Sequence, residues 1–171
     1  VRPLSAWELP EVAHPRLDDL RRRLLALAGE TPVPTGAAHG DWTPWNMAWR
    51  GSPDGPDGVL EVWDWERFAL NVPQGLDLVH FEASRVRVDD NLREAEPRLL
   101  AELPLRLHDV GLDASNDRLL LAAYLIWIGG RYAADLGDEP VPALQRRLDW
   151  VLDLLDRTVA ELAMRMGGIA R

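Results

Sequence analysis

The sequence contains no cysteine and no lysine. Without cysteine there can be no disulfide and no thiolate metal site, and the cytoplasm is the simplest compartment for such a chain. Without lysine, all 19 basic residues are arginine, so the chain supplies no catalytic lysine and no ammonium group to grip a phosphate. A glycine-rich phosphate loop is also missing, as are internal repeats and low-complexity segments. No apolar run approaches the ~20 residues of a membrane span, and the N-terminus lacks a basic-then-apolar leader. Positive charge is scarce overall. The net charge of −9 argues against nucleic-acid backbones and anionic membranes as main partners and suits a cationic small molecule better.

What is present is the balance of a soluble globular protein, 47% apolar and 27% charged over 171 residues. That length reads as one domain, 1–171, able to bury ~70% of its unfolded surface. The first residue is Val1 rather than Met, which suits a processed product or an excised piece.

Residues 1–15 carry Pro3, Pro10 and Pro15 and read as an extended lead-in. Leu17, Leu20, Leu24 and Leu27 share one face of a helix over 16–28, closed by Gly29, and "ETPVPTG" reads as loop. "NMAWR" and "VLEVWDW" are strand-like runs separated by the turn-forming "GSPDGPDG". Beyond them the pattern is helical. Asp77 is placed to cap a helix beginning "DLVHFEASRV", and Pro97 and Pro104 limit the segments of the next. "NDRLLLAAYLIWIGGRYAADLG" is apolar nearly all round and reads as the central buried helix; an amphipathic helix follows from Pro142. The expected architecture is α+β and mostly helical, built around one small hairpin.

The hairpin gathers the polar residues of interest. With Gly51 opposite Val59, the count along the strands places Asn46 opposite Asp64, with Asp41 in a loop at the same open end. Carboxylate and amide oxygens are hard ligands suited to Mg²⁺, which usually shares its shell with water and substrate phosphates. A third, unliganded carboxylate nearby suits phosphoryl transfer, where it orients an attacking hydroxyl and accepts its proton. Five tryptophans, Trp42, Trp45, Trp49, Trp63 and Trp65, crowd these motifs and are expected mostly as core beneath the hairpin. His39 sits beside a glycine and an aspartate, as a turn residue does. His14, His80 and His108 lack the spacing of a zinc site and are expected in ordinary core or surface roles.

"HGDWTPWN" resembles the catalytic loop H-G-D-x-x-x-x-N of the aminoglycoside phosphotransferase family, which includes choline-kinase-like and related small-molecule kinases. "VWDWE" resembles that family's second motif, and "VPQGLDLVHF" its P-x-x-D-L segment. The resemblance orders three motifs over residues 39–81 and implies a protein-kinase-like C-terminal lobe, with the hairpin carrying the catalytic and metal motifs. It implies Asp41 as catalytic base, with His39 beside it in the catalytic loop. Asn46 and Asp64 would be the Mg²⁺ and cofactor-binding ligands, with ATP as donor, and Glu66 would lie next to the metal. His39 and Asp77 would brace the loop by hydrogen bonds.

Three features depart from the pattern. Trp45 stands where the family often has a small residue, and "PQGLD" is one residue longer than P-x-x-D. The N-terminal small lobe is missing from these residues, which suggests a fragment, a short chain with another role, or a half completed by another chain. The implied function is phosphoryl transfer to a hydroxyl of an aminoglycoside, amino sugar, sugar or choline-like amine, inactive without a small lobe. A non-catalytic binding module on the same fold is the alternative; a hydrolase using His39, Asp41 and Asp64 is weaker, since further metal ligands are lacking.

Overall fold

The computed structural model describes residues 1–7, 14–137 and 141–169. The fold is α+β and mostly helical, 63% helix and 13% strand. Six short strands precede the bulk of the helices. They are β1 (Arg2–Pro3), β2 (Pro32–Val33), β3 (Thr35–Ala38), β4 (Met47–Arg50), β5 (Val59–Val62) and β6 (Ala69–Pro73). The helices are α1 (Pro15–Ala28), α2 (Leu76–Ser84), α3 (Leu92–Asp109), α4 (Asp117–Leu136) and α5 (Pro142–Ile169). Three antiparallel pairs form, β1 with β2, β3 with β6 and β4 with β5.

The helical layer follows the hydrophobic pattern closely. Helix α1 begins where Pro15 fits the first turn, His14 caps it by accepting from the Leu17 N–H, and it buries Leu17, Leu20 and Leu24. Helix α4 is buried almost continuously from Leu119 to Ile128, because α1, α2, α3 and α5 all pack around it. By length and a mean hydropathy of 1.3, the stretch Ala114–Leu136 could cross a membrane, contrary to the sequence expectation. In this fold 56% of that window is buried, as a central core helix would be. Gly129 lets α4 approach closely, since a Cβ there would meet Leu17 Cδ2 at 3.0 Å and Val151 Cγ1 at 3.2 Å. Pro97 and Pro104 lie inside the continuous α3.

The strands differ from expectation in several places. Part of the supposed "ETPVPTG" loop is β2 and the start of β3, and the supposedly helical remainder begins with β6. Both are too short, and too poor in alternating apolar residues, to show a period of two. The β3–β6 ladder aligns Thr35 with Pro73 and Gly36 with Val72, then Ala37 with Leu70, so Asn71 is an extra residue. Asn71 adopts a left-handed conformation with φ of 60°, as bulge residues often do.

The hairpin forms, but its register is one residue from that expected. Arg50 pairs with Val59 and Met47 with Val62, and the Trp63 N–H donates to the Asn46 carbonyl at 3.2 Å. Asn46 therefore opposes Trp63, not Asp64. The cause is Gly51, whose φ of 80°, at a spot where a Cβ would lie 2.5 Å from the Asp57 carbonyl oxygen, assigns it to the turn rather than the ladder. The tryptophans are a second correction: Trp45, Trp49, Trp63 and Trp65 are 45 to 65% exposed rather than buried beneath the hairpin. A two-stranded ribbon with its other face to solvent has too little neighbouring chain to cover them.

Replacing Gly129 with Leu is expected to destabilise the fold by about 1–3 kcal/mol, because the added side chain overpacks the α1–α4–α5 contact. Urea unfolding checks this; the midpoint should fall with little change in slope.

Candidate active site

The ladder of β3 with β6 sets the frame. Ala38 and Ala69 pair at its end, so the loop beginning at His39 and the segment ending at Phe68 leave the ladder side by side. Gly40 has a φ of 84°, and a Cβ there would lie 2.3 Å from the Arg67 carbonyl oxygen. Glycine is required at that position for both reasons.

Asp77 ties this loop to a helix. Its Oδ2 accepts the His39 N–H at 2.7 Å and its Oδ1 the Gly40 N–H at 3.0 Å. Asp77 is therefore not the helix cap expected from sequence; Gly75 holds that position with φ of 94°, and the carboxylate reaches outward. Carboxylate–amide bonds of this type are short and roughly twice as strong as neutral ones. The extra residue in "PQGLD" does not prevent the brace. At its other end α2 is held by Arg147 of α5, which donates to the carbonyls of Val86 and Ala83.

His39 is buried and does structural work. Its Nδ1 accepts from the Asp41 N–H at 3.2 Å, so Nε2 carries the proton and donates to the Trp63 carbonyl at 2.9 Å. The loop and the "VWDWE" segment are thereby stitched together through one imidazole.

Asp41 is half-buried and held on both oxygens. Asn46 Nδ2 donates to Oδ2 at 3.0 Å and to the Asp41 backbone carbonyl at 3.0 Å. His80 Nε2 donates to Oδ1 at 3.1 Å, and His80 Nδ1 accepts from the Tyr124 hydroxyl at 3.0 Å. The order of donors follows from the carboxylate, which only accepts. Burial pulls the His80 pKa below its ordinary value, outweighing the opposing hydrogen bond to Asp41; burial also pushes the Tyr124 phenol up. Arg131 of α4 completes the surround, donating from Nη1 to the Gly40 carbonyl at 2.8 Å, with Nη2 4.0 Å from Asp41 Oδ1.

His80 and Arg131 were not singled out by sequence. His80 carried a readable signal, since it lies three residues after Asp77 on α2, where i and i+3 share a helix face. Arg131 carried none, being 90 residues from the loop in the chain.

The structure thus brings Asp41, His39 and Asn46 together through hydrogen bonds. Asp64 stands apart from them in bonding. It is exposed, left-handed with φ of 66°, and its carboxylate has no hydrogen bond or ion pair among the described residues. Asn46 uses its amide nitrogen on Asp41 and leaves Oδ1 without a hydrogen bond among the same residues. One amide oxygen and one free carboxylate are hard donors that fit Mg²⁺. Among the described residues no group of three His, Asp or Glu is placed to hold a metal alone, so substrate phosphates and water would have to complete the shell.

Comparison with known proteins returns no matching family model, no matching curated protein and no matching solved structure.

Asp77→Asn is expected to cost about 1–3 kcal/mol, since an amide nitrogen then faces one of two buried backbone donors; chemical denaturation measures it. His80 yields a pH prediction. Its folded pKa lies below the ordinary 6.5, so the unfolded chain binds the proton first as pH falls. Its contribution is full above that value and is lost on acidification through it. Thermal melts from pH 8 to pH 5, taken as about three units spanning the histidine range, should show a smaller loss for His80→Gln than for the parent.

Proposed function

We propose that this chain is the catalytic lobe of a small-molecule O-phosphotransferase with a kinase-like large-lobe fold. The observation that carries this reading is the anchoring of Asp41. A free face of its carboxylate is presented at a loop braced by Asp77, while Asn46 and His80 fix both oxygens. That is the arrangement a proton acceptor needs, because a general base must first be held within reach of the hydroxyl that takes the phosphoryl group.

In the reaction, a substrate hydroxyl approaches Asp41. The hydroxyl oxygen forms a bond to the γ-phosphorus of ATP as the bond to the bridging oxygen breaks. The proton passes to Asp41, and the nucleoside diphosphate leaves. His80 and Asn46 keep the carboxylate aimed throughout, and His39 holds the loop in register with the Asp64 segment. Mg²⁺, held by Asn46 Oδ1 and the Asp64 carboxylate, would supply charge neutralisation on the phosphates. With no lysine and no glycine-rich loop, the nucleotide grip would come from a further lobe in the same or another chain. ATP turnover by these 171 residues alone is therefore expected to be negligible.

A second reading is a non-catalytic binding module. The exposure of Trp45, Trp49, Trp63, Trp65, Phe68 and Leu70 favours it, since large apolar side chains left open in such number call for a covering partner. The same residues equally suit docking of the further lobe.

The two readings separate in a thermal-shift experiment. The catalytic reading expects Mg²⁺ with ATP to raise the melting temperature by about 3–6 °C at tenfold saturation. It expects Asp64→Asn to abolish the shift and Asp41→Asn largely to retain it. No metal-dependent shift, and indifference to Asp64→Asn, would leave the binding module. With a small lobe supplied and turnover established, Asp41→Asn should lower kcat by about 10²-fold or more, as loss of a general base does; unchanged turnover would refute its role.

A further inference from the structure

A cleft of about 670 Å³ opens between β6 and α4, roofed by the N-terminal segment. It has the size of a small-molecule site. Arg2, Trp7, Asn71, Trp127 and Arg131 are its chemically distinctive walls. Arg131 links the cleft to Asp41, since it lines the one while bonding the Gly40 carbonyl and reaching to 4.0 Å from Asp41 Oδ1.

Its charge runs against that of the molecule. The chain carries a net −9, yet the charged residues lining this cleft are Arg2 and Arg131, with no carboxylate among the described lining residues. Among the described residues Arg2 has no ion pair, and the only carboxylate within 4.0 Å of Arg131 is Asp41, at the limit of contact. The Arg131 guanidinium carbon lies 5.1 Å from the centre of the Trp127 ring, and its buried Nε has no partner among the described residues. The guanidinium is thus held by the loop, and its Nη2 makes no hydrogen bond among the described residues. Asn71, the bulge residue, contributes an amide to the same wall, and bulges commonly re-aim a side chain beside a site. Trp7 and Trp127 add flat apolar surfaces.

We propose that this cleft is the acceptor site and that it takes a small hydroxylated anion, such as a sugar acid or sugar phosphate, rather than a cationic amine. Arg131 and Arg2 grip the carboxylate or phosphate, for which the planar guanidinium fork is suited. Asn71 meets a hydroxyl, and the indoles cover the carbon faces. An anion seated on Arg131 holds the rest of the molecule beside Asp41. A cationic acceptor would instead meet two positive charges with no carboxylate among the described lining residues, a repulsion that works as a filter. The acceptor role rests on the phosphotransfer reading; the binding preference does not.

Isothermal titration calorimetry of the chain without metal or nucleotide keeps the two apart. The probes are gluconate, glucose 6-phosphate, glucose and glucosamine. At least one anion should bind about tenfold more tightly than both glucose and glucosamine, and the better of the two anions identifies carboxylate or phosphate as the group gripped. Arg2→Ala, outside the loop that holds Asp41, should weaken that anion about fivefold or more while leaving the melting temperature unchanged. Arg131→Lys keeps the charge but loses the fork, and should weaken it as well. The proposal is overturned if glucosamine binds as well as the anions, if neither anion binds up to about 10 mM, or if Arg2→Ala changes nothing. If anions bind but ATP and Mg²⁺ do not stabilise the chain, the cleft stands and the phosphotransfer reading fails.

Discussion

One carboxylate organises the polar end of this molecule. Asp77 accepts two successive backbone N–H groups, from His39 and Gly40, and so fuses a loop to the first turn of α2. Both amides lie where glycine geometry has pulled the chain out of the β3–β6 ladder, with no strand partner to satisfy them. Leaving them unbonded would cost about 1–3 kcal/mol each. Everything around Asp41 follows from that tie. With the loop fixed on α2, the residue one turn later on the helix, His80, necessarily arrives at Asp41. The core then supplies Tyr124 behind it.

The arrangement is layered by burial. Tyr124 is fully enclosed, His80 nearly so, Asp41 is half-buried, and Asp64 is open to solvent. Donors and acceptors become more constrained moving inward, and the carboxylate without a partner among the described residues is the outermost. The surrounding charge is also sorted. Arginine, the only basic side chain with a fixed charge in this chain, pairs with acids over most of the surface, while Arg2 and Arg131 line a cleft with no carboxylate among its described lining residues.

Much of the scaffold was legible in advance. Helices α1, α4 and α5 show their periodicity plainly, because each buries a long apolar face or, for α4, its whole circumference. The hairpin was legible from its Val and Trp runs and its Gly/Pro/Asp turn. The details that decide geometry were not. A single glycine in the turn moved the register by one residue. β3 and β6 are four and five residues long, and neither alternates. The tryptophans looked like core because they are large and apolar, but burial depends on having something to pack against, and a lone two-stranded ribbon offers little.

By itself the sequence determined the residue types of the site and their order along the chain, since local motifs place Asp41, Asn46 and Asp64 around one hairpin. It also determined the helical core, because a repeat of 3.6 is a property of neighbouring residues. Only the tertiary structure decided which side chains meet Asp41. His80 and Tyr124 are 39 and 83 residues beyond it in the chain, Arg131 is further still, and Asp77 turned from helix cap to loop anchor. Contacts between distant segments are set by how helices pack on one another, and no local pattern records that packing.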